Sequence, residues 1–400
     1  MAHTLGWDLV LALSVFLAFG GLCNGVLWLF VGIHSGRREP FARDPSYCPP
    51  VSIVKPVRGL ADGDAENFET FFQLDYPRFE ILFVIHRDAG DDPSLRVIER
   101  LIASHPNVDA RVIRATETVA VHEKVNNYIE AIAKSRYDII NITDADTYVR
   151  PDNLRHEVAA LSNPDIAMVF SVQTMNHYRG SGPAFEGLVQ NGDNSLFIEF
   201  LDAIGMTHWI IGHSTFFRKA DFYAFDAIGT LRWFLNDDQA WGEIMCDRGG
   251  KRIWLSKRVT HTRNVSGSWR RSADHILRWG AFFVRMNPAY VLLPIIQNSF
   301  FGLLTVALSF LPGTDGLTPF GFLQIPMRSL GLILGAGTVA LRVASNVLAN
   351  LRYGDDHGDL RYFWTIPLRD IFAIWVSIAT PFMRTITHAG RVYSLKRPRS

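Results

Sequence analysis

Short apolar runs alternate with amphipathic stretches between Val51 and Arg263. Runs rich in β-branched and aromatic residues predict strands at 51–54, 81–85, 110–113, 139–142 and 166–172. Apolar residues at helical spacing predict helices between them, at 65–72, 93–104 and 124–133. Alternation of strands and helices predicts a mainly parallel sheet covered on both faces, with ligands at the carboxyl ends of its strands.

Longer apolar spans flank this region. The span 9–33 is almost wholly apolar, reaches the roughly 20 residues that a membrane helix needs, and shows no small-residue cleavage site, so we expect an anchor. The spans 290–311 and 330–348 are also long enough to cross. The span 371–383 is short and contains Pro381, so we expect it to be re-entrant or interfacial, which leaves three full crossings.

Apolar and basic residues share the segment 269–285 at helical spacing. This pattern is typical of an amphipathic helix in a membrane interface, although a helix packed on a soluble core would show it too. Basic residues follow the anchor at Arg37, Arg38 and Arg43, and others fill the C-terminal tail. The positive-inside rule therefore predicts that the central domain and the tail are cytoplasmic.

Length, charge and cysteine content narrow the class of protein. A chain of 400 residues favours two structural units, and a formal charge of +1 gives no indication of a nucleic-acid partner. Three scattered cysteines indicate a reduced compartment without a disulfide or zinc framework. We expect an integral protein of a bacterial inner membrane rather than of Golgi or ER. Its expected parts are an anchor (1–36), a cytosolic catalytic domain (45–265), an interfacial helix (266–288) and a membrane region with a basic tail (289–400).

Asp144 and Asp146 directly follow the apolar run 137–143. Two carboxylates one residue apart at a strand end can share Mg²⁺ or Mn²⁺, and that cation can neutralise a diphosphate. Taken alone the pair is a weak signal, because acidic pairs at strand ends are commonly turn formers or helix caps.

Further polar residues fit a glycosyl transfer, and each also has a structural interpretation. Asp92 could contact a uracil or ribose, or cap the next helix. Asp238 could be the base for an acceptor hydroxyl, or a capping residue of the run 239–246. Arg278 and Trp279 could serve a diphosphate and a sugar, or anchor the interfacial helix. Lys124 could contact a phosphate, or be a solvated surface charge.

Four segments, 51–59, 69–77, 106–111 and 124–127, closely resemble the ceramide glucosyltransferase family, and the resemblance runs from about 9 to 391. The family pattern is three separated aspartate sites followed by a (Q/R)xxRW motif. Asp92, Asp144 and Asp238 match the aspartate sites in that order. The segment 275–279 matches the last motif, with His275 where the family usually has Gln or Arg.

The resemblance implies an α/β type-A (Rossmann-like) glycosyltransferase domain with N- and C-terminal transmembrane helices. It implies that Asp92 contacts the uridine, that Asp144 and Asp146 hold the metal-bound diphosphate, and that Asp238 is the general base. Arg278 and Trp279 would lie by the diphosphate and acceptor. His275 would make a contact that is weaker than that of the usual Gln or Arg, or that is pH-sensitive.

The expected activity is inverting transfer of a hexose, with glucose favoured, from a UDP-sugar to ceramide in the bilayer. Other acceptors stay open, namely diacylglycerol or a hopanoid lipid, with single or processive transfer. A processive polysaccharide synthase is less favoured because it generally needs more crossings. A non-catalytic transporter or lipid-binding scaffold is the alternative from a different class.

Overall fold

The structure, a computed structural model, describes residues 2–34, 44–86, 89–116, 118–263, 267–286, 288–292, 298–312, 314, 324–353, 357–388 and 391–395. The chain forms two compact units. The helical unit comprises Met1–Gly36, Gly180–Phe200 and Gly267–Ile386. The sheet unit comprises Arg37–Arg179, Leu201–Ser266 and Thr387–Ser400.

Eight strands form one sheet in the sheet unit. In chain order they are β1 (Val51–Val57), β2 (Phe79–His86), β3 (Asp109–Ala115), β4 (Ile139–Thr143), β5 (Thr147–Tyr148), β6 (Ile166–Asn176), β7 (Ser214–Arg218) and β8 (Arg252–Arg263). Their spatial order is β3-β2-β1-β4-β7-β6-β8-β5. The five predicted strands are confirmed, each extended by one to four residues at one or both ends.

The sheet is mixed, whereas the sequence predicted a mainly parallel one. β1 pairs in parallel with β2 and β4, β2 with β3, and β6 with β8. β7 lies between β4 and β6 and runs antiparallel to both, and β5 runs antiparallel to β8. The alternation of strands and helices holds only up to β4, and the two strands that run antiparallel to their neighbours, β5 and β7, both come after it.

α-Helices occur in both units. They are α1 (Ala2–His34), α2 (Asp64–Phe72), α3 (Ser94–Ser104), α4 (Glu123–Lys134), α5 (Asn153–Ala160), α6 (Ser181–Leu188), α7 (Ser195–Ala203), α8 (Lys219–Ala224), α9 (Ala227–Leu231), α10 (Asp237–Gly242), α11 (Trp269–Met286), α12 (Ser299–Ser309), α13 (Met327–Tyr353) and α14 (Ile366–Ala379). π-Helical turns occupy Val189–Asn194 and Glu243–Arg248. 3₁₀ turns occupy Pro288–Leu292, His357–Thr365 and Thr380–Phe382. Two short strands, β9 (Thr385–His388) and β10 (Arg391–Ser394), follow.

An aromatic and β-branched core supports the parallel half of the sheet. Phe68 and Phe72 of α2 pack on Phe83 of β2, with ring centroids 5.6 and 6.1 Å apart. Ile53 and Phe216 belong to the same buried cluster. Burial of each such side chain contributes roughly 1.5–3 kcal/mol, so this core fixes the strand ends where the candidate carboxylates lie.

Three stretches of the described residues are long and apolar enough to cross a membrane: Asp8–Ile33, Met327–Tyr353 and Arg361–Phe382. The first two agree with the predicted spans. The third covers most of the predicted segment 371–383 and is longer, because the 3₁₀ turn His357–Thr365 leads directly into α14. The expectation that this segment is re-entrant or interfacial stays a prediction. Of the predicted span 290–311, residues 293–297 lie outside the described part, and its helix α12 has 11 residues.

Small residues allow close helix packing in the helical unit. A methyl group on Gly302 of α12 would lie 3.0 Å from the carbonyl oxygen of Gly335 on α13. Such close backbone approach is how membrane helices gain packing energy without a hydrophobic driving force. The segment 269–286 is helical as predicted, and its Ile276 packs with Phe185 and Val376. Its placement in a membrane interface stays a prediction. Arg37, Arg38, Arg43 and the tail after 395 lie outside the described residues.

Candidate active site

A tight turn after β4 presents Asp144 and Asp146. The backbone N–H of Thr147 donates to the carbonyl of Asp144 at 3.2 Å, which closes the turn. The N–H of Asp144 donates to the carbonyl of His213 at 2.9 Å, and the N–H of Arg263 donates to that of Asp146 at 3.1 Å. The backbone of both aspartates is thus held by the residue before β7 and by β8 as well as by their own strand.

Lys124, in the first turn of α4, faces this turn. Its Nζ lies 2.6 Å from Asp144 Oδ1 and donates to the carbonyl of Gly212 at 3.3 Å. Burial would lower the pKa of Lys124, but Asp144, Asp237 and Asp238 outweigh it and raise that pKa, so the ammonium stays charged. Lys124 is therefore a cation placed directly beside the first carboxylate, and the interpretation as a solvated surface charge is wrong.

Lys55 is a site residue that the sequence analysis missed. It lies on β1, fully buried, and its Nζ donates to the carbonyls of Asp144 at 2.6 Å and Thr147 at 3.2 Å. The Nζ also lies 4.1 Å from the ring centroid of Phe71. Burial lowers the pKa of Lys55 to about 7, although the charges of Asp146 and Asp144 oppose that shift. The available signal was a lysine inside a strand whose other residues, apart from Ser52, are apolar.

Asp238 lies in the first turn of α10, after the N-cap residue Asn236, whose side chain makes no capping hydrogen bond. Burial and the neighbouring charge of Asp237 raise the pKa of Asp238 to about 8, partly opposed by a hydrogen bond from the backbone of Gly212. A methyl group on Gly212 would clash with the Asp238 carboxylate. The loop before β7 thus contacts Lys124 through Gly212, Asp144 through His213, and Asp238 through Gly212 again.

The Asp92 carboxylate is fully engaged within the sheet unit. Its Oδ1 accepts from the N–H and hydroxyl of Ser94, the first residue of α3, at 2.9 and 2.7 Å. Its Oδ2 accepts from the N–H of Gly59 at 2.8 Å. Burial works against the Asp92 charge, but these hydrogen bonds outweigh it and lower the pKa. Asp92 thus accepts hydrogen bonds at the start of α3, although the N-cap residue is Pro93 and not Asp92 as expected. The uridine contact stays a prediction.

His275, Arg278 and Trp279 lie on α11 in the helical unit. The Nδ1 of His275 is 2.5 Å from Glu186 Oε1, and its ring centroid is 4.3 Å from that of Trp279. His275 thus has an acidic partner on α6, and its ring orients the indole. The substrate contacts expected of these three residues stay predictions.

Asp144 and Asp146 fit a divalent cation that arrives with a diphosphate better than one held by protein alone. Among the described residues, no group of three or more His, Cys, Asp or Glu side chains is placed to hold a metal ion. Solvent reaches Asp146, yet surrounding protein atoms and the Asp144 charge raise its pKa to about 7. A cation would relieve that repulsion. Mg²⁺ is ordinarily held by one or two carboxylates, substrate phosphates and water, which suits this pair.

A mixed α/β sheet with paired carboxylates at the end of β4, joined in one chain to apolar helices, belongs to the fold class of type-A glycosyltransferases. The chain belongs to glycosyl transferase family 21, whose profile matches residues 15–400. The resemblance to ceramide glucosyltransferases is therefore confirmed at the level of the family.

Named relatives agree with this assignment. The chain is 27% identical to ceramide glucosyltransferase 3 of Caenorhabditis elegans over 262 residues, 64% of this chain and 56% of that protein. It is 27% identical to ceramide glucosyltransferase 1 of the same organism over 287 residues, 70% of this chain and 59% of that protein. The matches therefore span somewhat over half the length of these relatives.

A solved structure supports the fold alone. The mannosyltransferase PcManGT from Pyrobaculum calidifontis, in complex with GDP-Man and Mn²⁺, superposes with a TM-score of 0.52 at 18% identity. The match covers 93% of this chain and 99% of that one.

Proposed function

We propose that the protein transfers a hexose, with glucose favoured, from a UDP-sugar to the primary hydroxyl of ceramide with inversion at the anomeric carbon. The observation that carries this proposal is the convergence of Asp144, Lys124 and Asp238 on the loop before β7, with Asp146 in the same turn as Asp144. The names of the relatives support ceramide as the acceptor.

The charged residues of this cluster have different roles in the proposed reaction. Asp238 takes the proton of the acceptor hydroxyl as its oxygen attacks the anomeric carbon, and the C–O bond to the diphosphate breaks. Lys124 is a charged donor beside Asp144 and stabilises the negative charge that builds on the leaving diphosphate. Asp144 and Asp146 would hold Mg²⁺ or Mn²⁺, which supplies Lewis-acid neutralisation of the diphosphate when bound.

Lys55 and Gly212 position this machinery without touching substrate. Lys55 holds the carbonyls of the turn that carries both carboxylates. Gly212 leaves the space that the Asp238 carboxylate fills. The proposed roles of Asp92 at the uridine, and of His275, Arg278 and Trp279 at the diphosphate and acceptor, rest on the family motifs.

The proposed setting is a membrane with the catalytic domain on its cytoplasmic side, in a bacterial inner membrane. Three apolar stretches of suitable length support membrane residence. The proposed parts remain the anchor 1–36, the catalytic domain 45–265, the interfacial helix 266–288 and the membrane region 289–400.

Lipid mass spectrometry of products from purified protein in nanodiscs tests the proposal. The assay supplies Mg²⁺ or Mn²⁺, a panel of UDP-sugars, and ceramide beside diacylglycerol and a hopanoid lipid. We expect a single hexose on ceramide. Sugar on diacylglycerol or a hopanoid, or in chains, would overturn the acceptor assignment. Intact UDP-sugar in every reaction would favour the alternative, a non-catalytic scaffold.

Asp238→Asn is the matched control, because it removes the base and keeps the size of the side chain. We expect it to abolish turnover while UDP still raises the melting temperature in detergent. Loss of UDP binding as severe as the loss of turnover would contradict the assignment of Asp238 as the base.

A further inference from the structure

A cavity of about 140 Å³ lies within the helical unit. Apolar side chains of α11 and α14 form most of its wall, among them Ile276, Phe283, Phe372 and Val376. Trp279 of the predicted motif lines it as well. Roughly this volume, lined by apolar side chains, takes up a molecule the size of benzene, so the cavity accommodates a segment of a lipid.

Four charged side chains also line this cavity: Asp193, Arg342, Arg369 and Asp370. Arg342 binds Asp193 through two hydrogen bonds of 2.5 and 3.1 Å and donates to Asp370 at 2.7 Å. Two positive and two negative charges make the group neutral in sum. A ligand that meets it therefore needs no net charge.

Arg369 retains unused donors in this group. It is 1% exposed, and its Nη1 donates to the carbonyl of Leu188 at 2.9 Å and to Asn346 Oδ1 at 3.0 Å. Its Nη2 has no hydrogen-bond partner among the described residues. Buried donors in native proteins are nearly always paired, and an acceptor on a ligand in the cavity would supply the partner that Nη2 lacks among the described residues.

The location of these charges also favours a ligand site. Arg342 lies on α13 and Arg369 precedes the apolar part of α14, both within stretches long and apolar enough to cross a membrane. Ionisable residues at such positions are costly and usually functional. Asp193 comes from the π-helical turn Val189–Asn194, a local geometry that is frequent at functional sites.

We propose that this cavity holds the acceptor lipid at the junction of its polar group and its chain, and that Arg369 recognises an N-acyl amide. Arg369 Nη2 donates to the amide carbonyl, and Asp193, which has acceptor capacity left, receives the amide N–H. The aromatic and aliphatic walls contact the adjoining chain. An ester lipid offers the carbonyl without the N–H, so the paired donor and acceptor favour an amide. This inference rests on the proposed function and adds a site to it.

Filling the cavity tests the proposal without disturbing the charges. Ala373→Phe places a ring in the cavity, and Ile371→Phe on the same helix adds the same ring at a position that is 51% exposed. In nanodiscs we expect Ala373→Phe to raise the KM for ceramide about tenfold or more, with the KM for the UDP-sugar within about twofold. Ile371→Phe should match wild type. Equal ceramide KM values for all three proteins would overturn the inference.

Direct labelling separates this inference from the proposed activity. Ceramide with a photoreactive group beside its amide should label peptides of α11 or α14 in wild type, and a diacylglycerol analogue should label them much less. Labelling elsewhere while sugar is still transferred to ceramide would refute the cavity and leave the function intact. Labelling here without turnover on any acceptor would refute the function and leave the lipid site intact.

Arg369 variants test the amide contact itself. Arg369→Gln should raise the KM for ceramide about tenfold or more, and Arg369→Lys should recover part of that loss because it keeps a charged donor. If Arg369→Gln does not fold, Ser377→Leu, which narrows the cavity one turn further along α14, replaces it. An unchanged ceramide KM in a folded variant of either kind would contradict the assignment.

Discussion

Gly212→Ala should move the Asp238 carboxylate while the protein still folds. A methyl group at Gly212 would lie far closer to Asp238 Oδ1 than the 3.0 Å below which real Cβ atoms are essentially never found. The carboxylate is the end of a short side chain and can rotate away. The rotation costs about 0.5–1.5 kcal/mol, so the protein should still fold.

The expected loss is in catalysis. The carboxylate must move by about 1 Å, and a misplacement of that size costs about 100-fold in rate. The assay is the initial rate of glycolipid formation at saturating UDP-sugar, beside the UDP-induced shift in melting temperature. We expect kcat to fall about 100-fold while the UDP shift stays close to wild type.

A second glycine provides the control. Gly20 lies on α1, where an added methyl group meets no atom within 4 Å, so Gly20→Ala should leave kcat unchanged. Gly212→Ala with kcat within about twofold of wild type would refute the argument that the Asp238 position sets the rate. A large loss of melting temperature in Gly212→Ala would instead show that the backbone, not the carboxylate, yields.

Three further predictions follow from the sheet unit. Since Asp238 must be charged to act as a base and its pKa is raised to about 8, kcat/KM should rise about tenfold per pH unit below that value and level off above it; a flat profile from pH 6 to 8 would contradict this. Asp146→Asn should abolish the dependence of UDP binding on Mg²⁺ or Mn²⁺, measured as the melting-temperature shift with and without chelator; an unchanged dependence would exclude Asp146 as a ligand. Lys55→Met should destabilise the protein by roughly 1–3 kcal/mol in denaturant unfolding, because the carbonyls of Asp144 and Thr147 each lose a charged donor. The control for Lys55→Met is Lys219→Met, which removes a lysine that donates to the Ser135 carbonyl. This control variant should leave UDP binding intact.

The strands and helices were largely predictable because their signal is local. Val51, Ile81 and Ile139 begin β-branched runs whose propensity and burial agree, so each strand lies where the sequence predicts it. The full length of the third apolar stretch, Arg361–Phe382, was missed for the opposite reason. Arg369 and Asp370 interrupt the apolar pattern there, and only tertiary contacts to Asn346, Arg342 and Asp193 compensate those charges.

The candidate site, too, was only partly predictable from the sequence. Asp144 and Asp146 could be read from their spacing at a strand end, and Asp238 from the family pattern. Lys55 could not, because its role depends on carbonyls that are 89 and 92 residues away along the chain. Gly212 could not either, since an absent side chain matters only where another group fills the space.

By itself the sequence determined the family, the existence and order of most elements, and the candidate carboxylates, because propensity, periodicity and motif spacing are properties of neighbouring residues. Only the tertiary structure decided that β7 enters the sheet in reverse, that Lys124 meets Asp144, and that Arg369 lies buried with unused donors. Those outcomes depend on which distant groups share one small volume, and burial then sets the pKa and the hydrogen-bonding needs of each group.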